Sequence, residues 1–373
     1  MGTCCPVNHL HFPLCFYLFL LQICLFLLQR RFIYFVLFAG TFVFSREKLS
    51  PFGILLHILL RGDYLAIVRT DMLMTAELCV QTIQKLAEAY PFLKTKILTT
   101  TAFGRPVYAI EMGDGERQVL FTAAHHANEW ITTPVLLKFI EELAESYKKG
   151  GNLYGVPAKT ILKYSKIHLV PMVDPDGVDL VTGTIRPQTP EYNIARQIAG
   201  DFPDIPFPDG WKANLLGVDL NLQYPAGWLL AREIKFSQGF TRPAPRDYVG
   251  RAPLSQKESL ALARYTEEVD PELVLAYHTQ GKAIYWQFRD YQVPGARALA
   301  EEFSRLSGYA AVDTPYESSF AGYKDWFIQN FRRPGFTIEA GIGENPLPLS
   351  QFDEIYRDNL GILVTAALGL PEK

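Results

Sequence analysis

The sequence predicts one α/β domain built on a mixed, mostly parallel twisted sheet flanked by helices. Three observations predict it. Short β-rich apolar runs alternate with longer amphipathic stretches over residues 72–373. Two of the apolar runs end directly at a polar side chain, His278 and Glu339, and ligand sites in such sheets gather at the carboxyl ends of strands. No internal repeat or low-complexity segment points to a solenoid or a disordered chain.

The first 71 residues stand apart from this pattern. No acidic residue precedes Glu47, residues 12–28 are almost wholly apolar, Arg30 and Arg31 follow, and residues 32–44 are apolar again. The first run has the length of a membrane-spanning helix, roughly 17–25 residues. A signal peptide fits poorly, because no Lys or Arg precedes the run and no small-residue cleavage site follows it. Arg30 and Arg31 favour the cytoplasmic side, so a single span places the rest of the chain in the cytoplasm. A second reading stands beside this one. Residues 1–71 are a mis-assigned start, with Met72 or Met74 opening the working protein. Location is thus open between cytoplasm and cell envelope, with membrane attachment only through the leader. Residues 72–373 form the folded domain in either case.

Across all 373 residues the net charge is −3, which gives no basic face for a nucleic-acid partner. Four of the five cysteines lie in the leader, so Cys79 has no partner for a disulfide within the domain.

Within the domain, residues 75–90 carry apolar side chains at helical spacing and stop at Pro91. Residues 96–99, 107–110 and 118–122 read as strands, and Met112-Gly113-Asp114-Gly115 predicts a hairpin turn between the last two. Apolar residues from Ile131 to Tyr147 recur at period 3.6, with Pro134 in the first turn and Gly150-Gly151 closing the helix. Residues 166–171 read as a buried strand, and Asp174-Pro175-Asp176-Gly177 as a turn. Residues 184–255 are rich in Pro, Gly and aromatics and predict a long irregular region, a feature usually tied to function. Residues 271–277 and 335–338 predict strands, and 295–306 and 349–369 helices.

The stretch Ala124-His125-His126-Ala127-Asn128-Glu129-Trp130 concentrates chemistry. His126 and Glu129 are spaced i, i+3 and face the same way on a helical turn. An imidazole and a carboxylate supply two of the three protein ligands of a catalytic zinc site, with water in the open position. His278, directly after an apolar strand, is the best third ligand. His168 lies inside a strand pattern and reads as a hydrogen-bonded core residue. His125 has Asn128 at its third position onward, a poor zinc ligand, and reads as packing or supporting the site. On its own the pair also fits a polar helix start with Glu129 near the positive helix end.

The set resembles the funnel-type zinc metallocarboxypeptidase family. His126-Ala127-Asn128-Glu129 with the distant His278 matches its metal motif. Pro171-Met172-Val173-Asp174-Pro175-Asp176-Gly177 resembles its P-x-x-N-P-D-G segment, with Asp174 in place of Asn. Gly217-Val218-Asp219-Leu220-Asn221 resembles G-V-D-x-N, and Phe336-Thr337-Ile338-Glu339 resembles the F-T-x-E strand. Tyr316 and the later Gly322-Tyr323-Lys324-Asp325-Trp326 resemble its mobile tyrosine loop. The resemblance runs from about residue 75 to 370 in the family's order. HHANEW, residues 218–223, residues 243–248 and residues 339–346 are similar to its bacterial γ-D-glutamyl-L-diamino acid endopeptidases, which act on cell-wall peptides.

The resemblance implies one Zn2+ held by His126, Glu129 and His278, with Glu339 as general base. It implies Lys212 beside the oxyanion, where the family has an Arg, and Asn221 and Tyr316 orienting substrate. The family's carboxypeptidases follow the Asn with an Arg that clamps a terminal carboxylate. Here that place is Leu222, which weakens strict exopeptidase action and leaves room for an endopeptidase. Lys324 stands where relatives preferring basic residues hold an acid, so it suits an acidic group on the leaving side; a solvated loop lysine is the alternative. Arg246 is a further candidate for a substrate carboxylate. The expected function is zinc-dependent hydrolysis of murein peptides at the γ-D-glutamyl–diaminopimelate bond, with a muropeptide as partner. The alternatives are a metallocarboxypeptidase releasing an ordinary C-terminal residue, a related zinc deacylase, and a non-catalytic envelope protein that binds wall peptides.

Overall fold

The structure, a computed structural model, describes residues 66–370. The two apolar runs of the leader lie outside the described residues. Among the described residues, no helix is long and apolar enough to cross a membrane. At the start of the described chain, Val68 is buried, and the Ile67 and Val68 N–H groups donate to the buried Glu141 carboxylate at 2.5 and 3.3 Å.

Ten strands and ten α-helices follow. The strands are β1 (Lys94–Thr100), β2 (Pro106–Met112), β3 (Arg117–Ala123), β4 (Asn152–Leu153), β5 (Val156–Pro157), β6 (Ser165–Val170), β7 (Leu273–His278), β8 (Ala283–Tyr285), β9 (Ala310–Val312) and β10 (Gly335–Glu339). The helices are α1 (Ala76–Ala89), α2 (Thr132–Lys149), α3 (Ala158–Tyr164), α4 (Pro175–Val181), α5 (Pro190–Gly200), α6 (Trp228–Ser237), α7 (Lys257–Val269), α8 (Ala296–Ser307), α9 (Tyr323–Phe331) and α10 (Phe352–Leu368). Eight strands form one sheet in the order β1-β2-β6-β3-β7-β10-β8-β9, and β4 and β5 form a small ribbon. β6, β3, β7 and β10 run parallel, while β2 and β8 join antiparallel on either side.

Alternation along the central strands explains the two layers of core. Val119 and Phe121 of β3 pack with Leu136, Phe139 and Ile140 of α2 and Ile362 of α10. Leu120, between them, faces the opposite side, in a core with Leu262 of α7 and Trp326 and Phe327 of α9. A strand buried on both faces must be apolar at every position, and all of β7 is buried. His168, on β6, is the polar exception nearby: its Nδ1 lies 2.8 Å from the Tyr265 hydroxyl and its Nε2 2.8 Å from Gln118 Oε1, as expected of a satisfied core histidine.

Three local expectations are corrected. The hairpin joins β1 to β2, and β2 does not pair with β3, because β6 lies between them. Gly113 and Gly115 serve close packing there. A Cβ at either would sit about 2 Å from backbone atoms of Tyr164 or Ser165, where the chain enters β6. The Asp174-Pro175-Asp176-Gly177 segment starts α4: Asp174 caps it by accepting the Gly177 N–H at 3.0 Å, with Pro175 in the first turn. The region 184–255 contains α5 and α6. These helices are short, and the Pro- and Gly-rich sequence around them hid them.

Buried acids lie behind α4. Burial, with the nearby Asp176 carboxylate, pushes Glu258 of α7 from 4.5 up to about 7. The fold therefore favours its neutral form. That contribution is complete at low pH and is lost as pH rises from about 4.5 through about 7, by roughly 3 kcal/mol in all. Glu258→Gln should remove this dependence. Denaturant unfolding at pH 5 and pH 8 should show the variant gaining on the parent at the higher pH; an offset equal at both pH values counts against it.

Candidate metal centre and active site

The site forms where β3, β7 and β10 end side by side. Parallel pairing sets Ala123 against Tyr277 and Glu339 against His278, so these ends are level. Ala124 then adopts a left-handed φ of 48°, unusual outside glycine, and turns the chain sharply out of β3. The Ala124 N–H donates to Thr132 Oγ1 at 3.0 Å, and its carbonyl accepts from Asp174 N–H at 2.9 Å. A 3-10 turn at Ala127–Glu129 precedes α2. In that turn residues three apart eclipse, which brings His126 and Glu129 onto one side.

His126 Nδ1 is 2.9 Å from Glu129 Oε1, His278 Nδ1 is 2.8 Å from Glu129 Oε2, and the two Nδ1 atoms are 3.2 Å apart. All three side chains are buried. Two ligand atoms each about 2.05 Å from a tetrahedral zinc lie about 3.3 Å apart, so the spacing of the imidazole nitrogens fits that ion. Lone pairs converging this closely in a buried site need a shared cation or protons between them. The donor set, two imidazoles and one carboxylate, fits zinc.

The surrounding charges reinforce the arrangement. His126 Nε2–H donates to Asp219 Oδ1 at 3.1 Å, fixing the ring with Nδ1 toward Glu129. Lys212 Nζ lies 3.0 Å from Glu129 Oε1. Burial opposes charge on His126, but Glu129 and Asp219 outweigh it and raise the imidazole to about 9. Burial also opposes the Glu129 charge, and His126, Lys212 and His278 reverse that, holding it well below the usual carboxylate range. Glu339 differs. Burial, and then the charge of Glu129, push it up to about 8 against the pull of Lys212 and His126. His125 is pushed down by burial and by the other imidazoles; it stacks on His278 with ring centroids 5.5 Å apart, so it packs against the site.

A cleft of about 190 Å³ opens beside this centre, lined among others by His126, Lys212, Asn221, Leu222, Arg246, His278, Lys324 and Glu339. A second hollow of about 750 Å³ adjoins it, lined by Asn128, Asp209, Glu344 and Asn345. Lys212, Arg246, Tyr285 and Glu339 line both. Sequence expectation and structure thus bring His126, Glu129, His278, Glu339, Lys212, Asn221, Arg246 and Lys324 together. Tyr316 is 62% exposed and packs edge-on against Phe320; its neighbours Pro315 and Ser318 line the cleft while Tyr316 faces an adjoining hollow. Lys324 is buried and engaged, with Nζ 2.5 Å from the Gln287 carbonyl and 2.6 Å from Asp325 Oδ1.

Several site residues carried no assigned role from the sequence. Asp219 stands in the G-V-D-x-N segment, but its contact with His126 spans 93 residues of chain. Lys235, on α6 in the region read as irregular, pairs with Asp247 at 2.7 Å inside the first cleft. Spacing in the sequence signals neither contact.

With this geometry in view, the zinc carboxypeptidase family profile matches residues 79–361. The chain belongs to the zinc carboxypeptidase family. It is 43% identical over 282 residues to a γ-D-glutamyl-L-diamino acid endopeptidase 1 of Lysinibacillus sphaericus, covering 76% of this chain and 69% of that protein. Among solved structures, the fold is similar to bovine thrombin-activatable fibrinolysis inhibitor, in complex with a tick carboxypeptidase inhibitor (TM-score 0.62, 16% identity, 80% of this chain and 97% of that chain). It is also similar to a carboxypeptidase A from Helicoverpa armigera (TM-score 0.61, 17% identity, 87% and 84%). The protein is a zinc metallopeptidase with a carboxypeptidase-like fold.

Asp219→Ala should leave the His126 ring without its orienting carboxylate and weaken zinc retention by roughly 10–100-fold. Metal analysis after dialysis against graded chelator reads this out. Unchanged retention in a folded variant would show that Asp219 does not orient the ligand.

Proposed function

We propose that this zinc peptidase hydrolyses the γ-D-glutamyl–diaminopimelate bond of murein peptides. The observation that carries the reading is the polar, two-signed cleft beyond the metal centre, with Leu222 where a carboxylate-clamping Arg would stand. Lys324, Lys235, Asp325 and Asp247 all line it. An apolar C-terminal residue gains nothing from such a lining, whereas a diamino acid carries both an ammonium and a carboxylate on its side chain. The name of the Lysinibacillus sphaericus relative supports the same substrate class.

In this reading His126, Glu129 and His278 hold the ion. Zinc held there would supply a Lewis acid and make water more acidic. Glu339, lining the cleft beside the ligands, takes a proton from the attacking water and passes it to the leaving nitrogen. Lys212 offers its charge to the developing oxyanion, as a point charge without a guanidinium's fork. Asn221, whose Oδ1 accepts the Tyr323 N–H at 3.0 Å, presents its amide group to substrate in the cleft. Tyr316 orients substrate only after its loop brings the ring inward. Lys324 and its partner Asp325 meet the diamino acid head as a pair.

Glu339→Gln should lower kcat by about 10²–10⁴-fold with zinc content intact. Loss of zinc together with activity would instead assign Glu339 a structural role. Lys212→Ala should cost about 10²–10³ in kcat, with Lys212→Arg restoring most of it. An Arg variant as poor as Ala, at equal zinc content, argues against a charge effect. Substrate class is tested by comparing kcat/KM on γ-D-glutamyl-diaminopimelate peptides with that on blocked dipeptides; preference for the latter supports the ordinary carboxypeptidase alternative.

A further inference from the structure

We infer that Arg246 is a specificity-determining residue that holds the free α-carboxylate of the γ-linked glutamyl residue, on the acyl side of the scissile bond. The inference rests on the proposed function and says which group of the γ-linked residue the site grips.

Position is the first ground. Four residues line both hollows: Lys212, Arg246, Tyr285 and Glu339. Lys212 and Glu339 flank the place of the reacting carbonyl, so Arg246 stands at the junction where the acyl and leaving sides meet.

Available donors are the second. The three lysines lining the hollows are already paired: Lys212 with Glu129 at 3.0 Å, Lys235 with Asp247 at 2.7 Å and Lys324 with Asp325 at 2.6 Å. Arg246 gives only its Nε–H, to Asp247 Oδ2 at 2.7 Å. Among the described residues, neither terminal amino group of the guanidinium has a hydrogen-bond acceptor. Asp247 is shared between Lys235 and Arg246, so this trio carries one uncompensated positive charge. A guanidinium braced through Nε, with both Nη groups free, is arranged for two-point binding of a carboxylate.

Rigidity is the third. The Pro245 carbonyl accepts from Lys212 and Ala213 N–H at 2.8 and 2.9 Å, and the Asp247 N–H donates to Asp219 Oδ2 at 3.3 Å. The backbone at Arg246 is thus tied on both sides to the segments carrying Lys212 and Asp219, and its Nε–H is anchored on Asp247.

The chemistry of the linkage supplies the ligand. In a γ-glutamyl amide the reacting carbonyl is the side-chain carbon, and the α-carboxylate sits about 5 Å away through two methylenes and the α-carbon. An α-linked peptide has no carboxylate there unless its acyl residue is glutamate, whose side-chain carboxylate lies across the same number of bonds. Asp204, Asp209 and Glu344 line the acyl-side hollow, so among its lining residues only Lys212 and Arg246 attract an anion.

The test measures kcat/KM on matched γ-D-glutamyl-diaminopimelate peptides with the glutamyl α-carboxyl free, or amidated as isoglutamine. A third peptide is amidated only on the diaminopimelate side. Parent protein, Arg246→Ala and Arg246→Lys are compared at equal zinc content. Amidating the glutamyl carboxylate should cost the parent about 10–100-fold. Arg246→Ala should lose a similar factor on the free acid and much less on the isoglutamine peptide, with Arg246→Lys between. Equal losses on both peptides, or a deficit that disappears only with the third, overturn the inference while leaving the proposed substrate intact. A parent that cleaves ordinary peptides but none of the three overturns both.

Discussion

Two imidazole nitrogens held 3.2 Å apart against one carboxylate are the constraint on which the rest of this structure depends. Such a group is costly to bury unless a cation sits between its lone pairs. The parallel sheet makes it possible. His278 and Glu339 are paired residues at the ends of neighbouring strands, and the chain leaving β3 meets them after one sharp turn at Ala124. A one-residue slip in either pairing would turn His278 or Glu339 to the opposite face, so strand register and metal chemistry are the same specification.

The charges around this centre are arranged so that nearly all are satisfied internally. Asp219 orients His126, Lys212 leans on Glu129, and Lys235 meets Asp247. Paired in this way they hold their positions, and the low dielectric strengthens each contact. Two groups retain capacity: the Glu339 carboxyl, raised by burial beside another carboxylate, and the outer edge of Arg246. A rigid site spends its fixed dipoles on orientation and leaves free the groups that meet the substrate.

The sequence disclosed this site better than it disclosed the fold around it. His278 and Glu339 follow apolar runs directly, and His126 and Glu129 stand at i, i+3 soon after another, so a reader of patterns finds all four near strand ends. The helices around Ala195 and Ala231 escaped because they are short, 11 and 10 residues, and set in a Pro- and Gly-rich stretch that reads as irregular. The order of the sheet escaped for another reason. Whether β2 turns back onto β3 depends on Gly113 and Gly115 admitting the backbone of residues 164 and 165, a contact between distant segments. The support given by Asp219 and Asp247 was hidden likewise, since carboxylates far apart in sequence show no spacing. Lys324 was legible as an unusual residue, but its ties to Gln287 and Asp325 appear only in three dimensions.

Leu222 brings these strands together. A carboxypeptidase must stop its substrate at the terminal carboxylate, and an arginine after the asparagine does so by a two-point contact. Here the buried Leu222 offers no charge, and Arg246, a guanidinium with free donors, lines both adjoining hollows. On the proposed reading, a cation at the junction would bind a carboxylate close to the reacting carbonyl without requiring the chain to end. In that reading the placement would let a fold able to recognise the end of a peptide recognise an unusual bond within it, with the zinc ligands and Glu339 left in place.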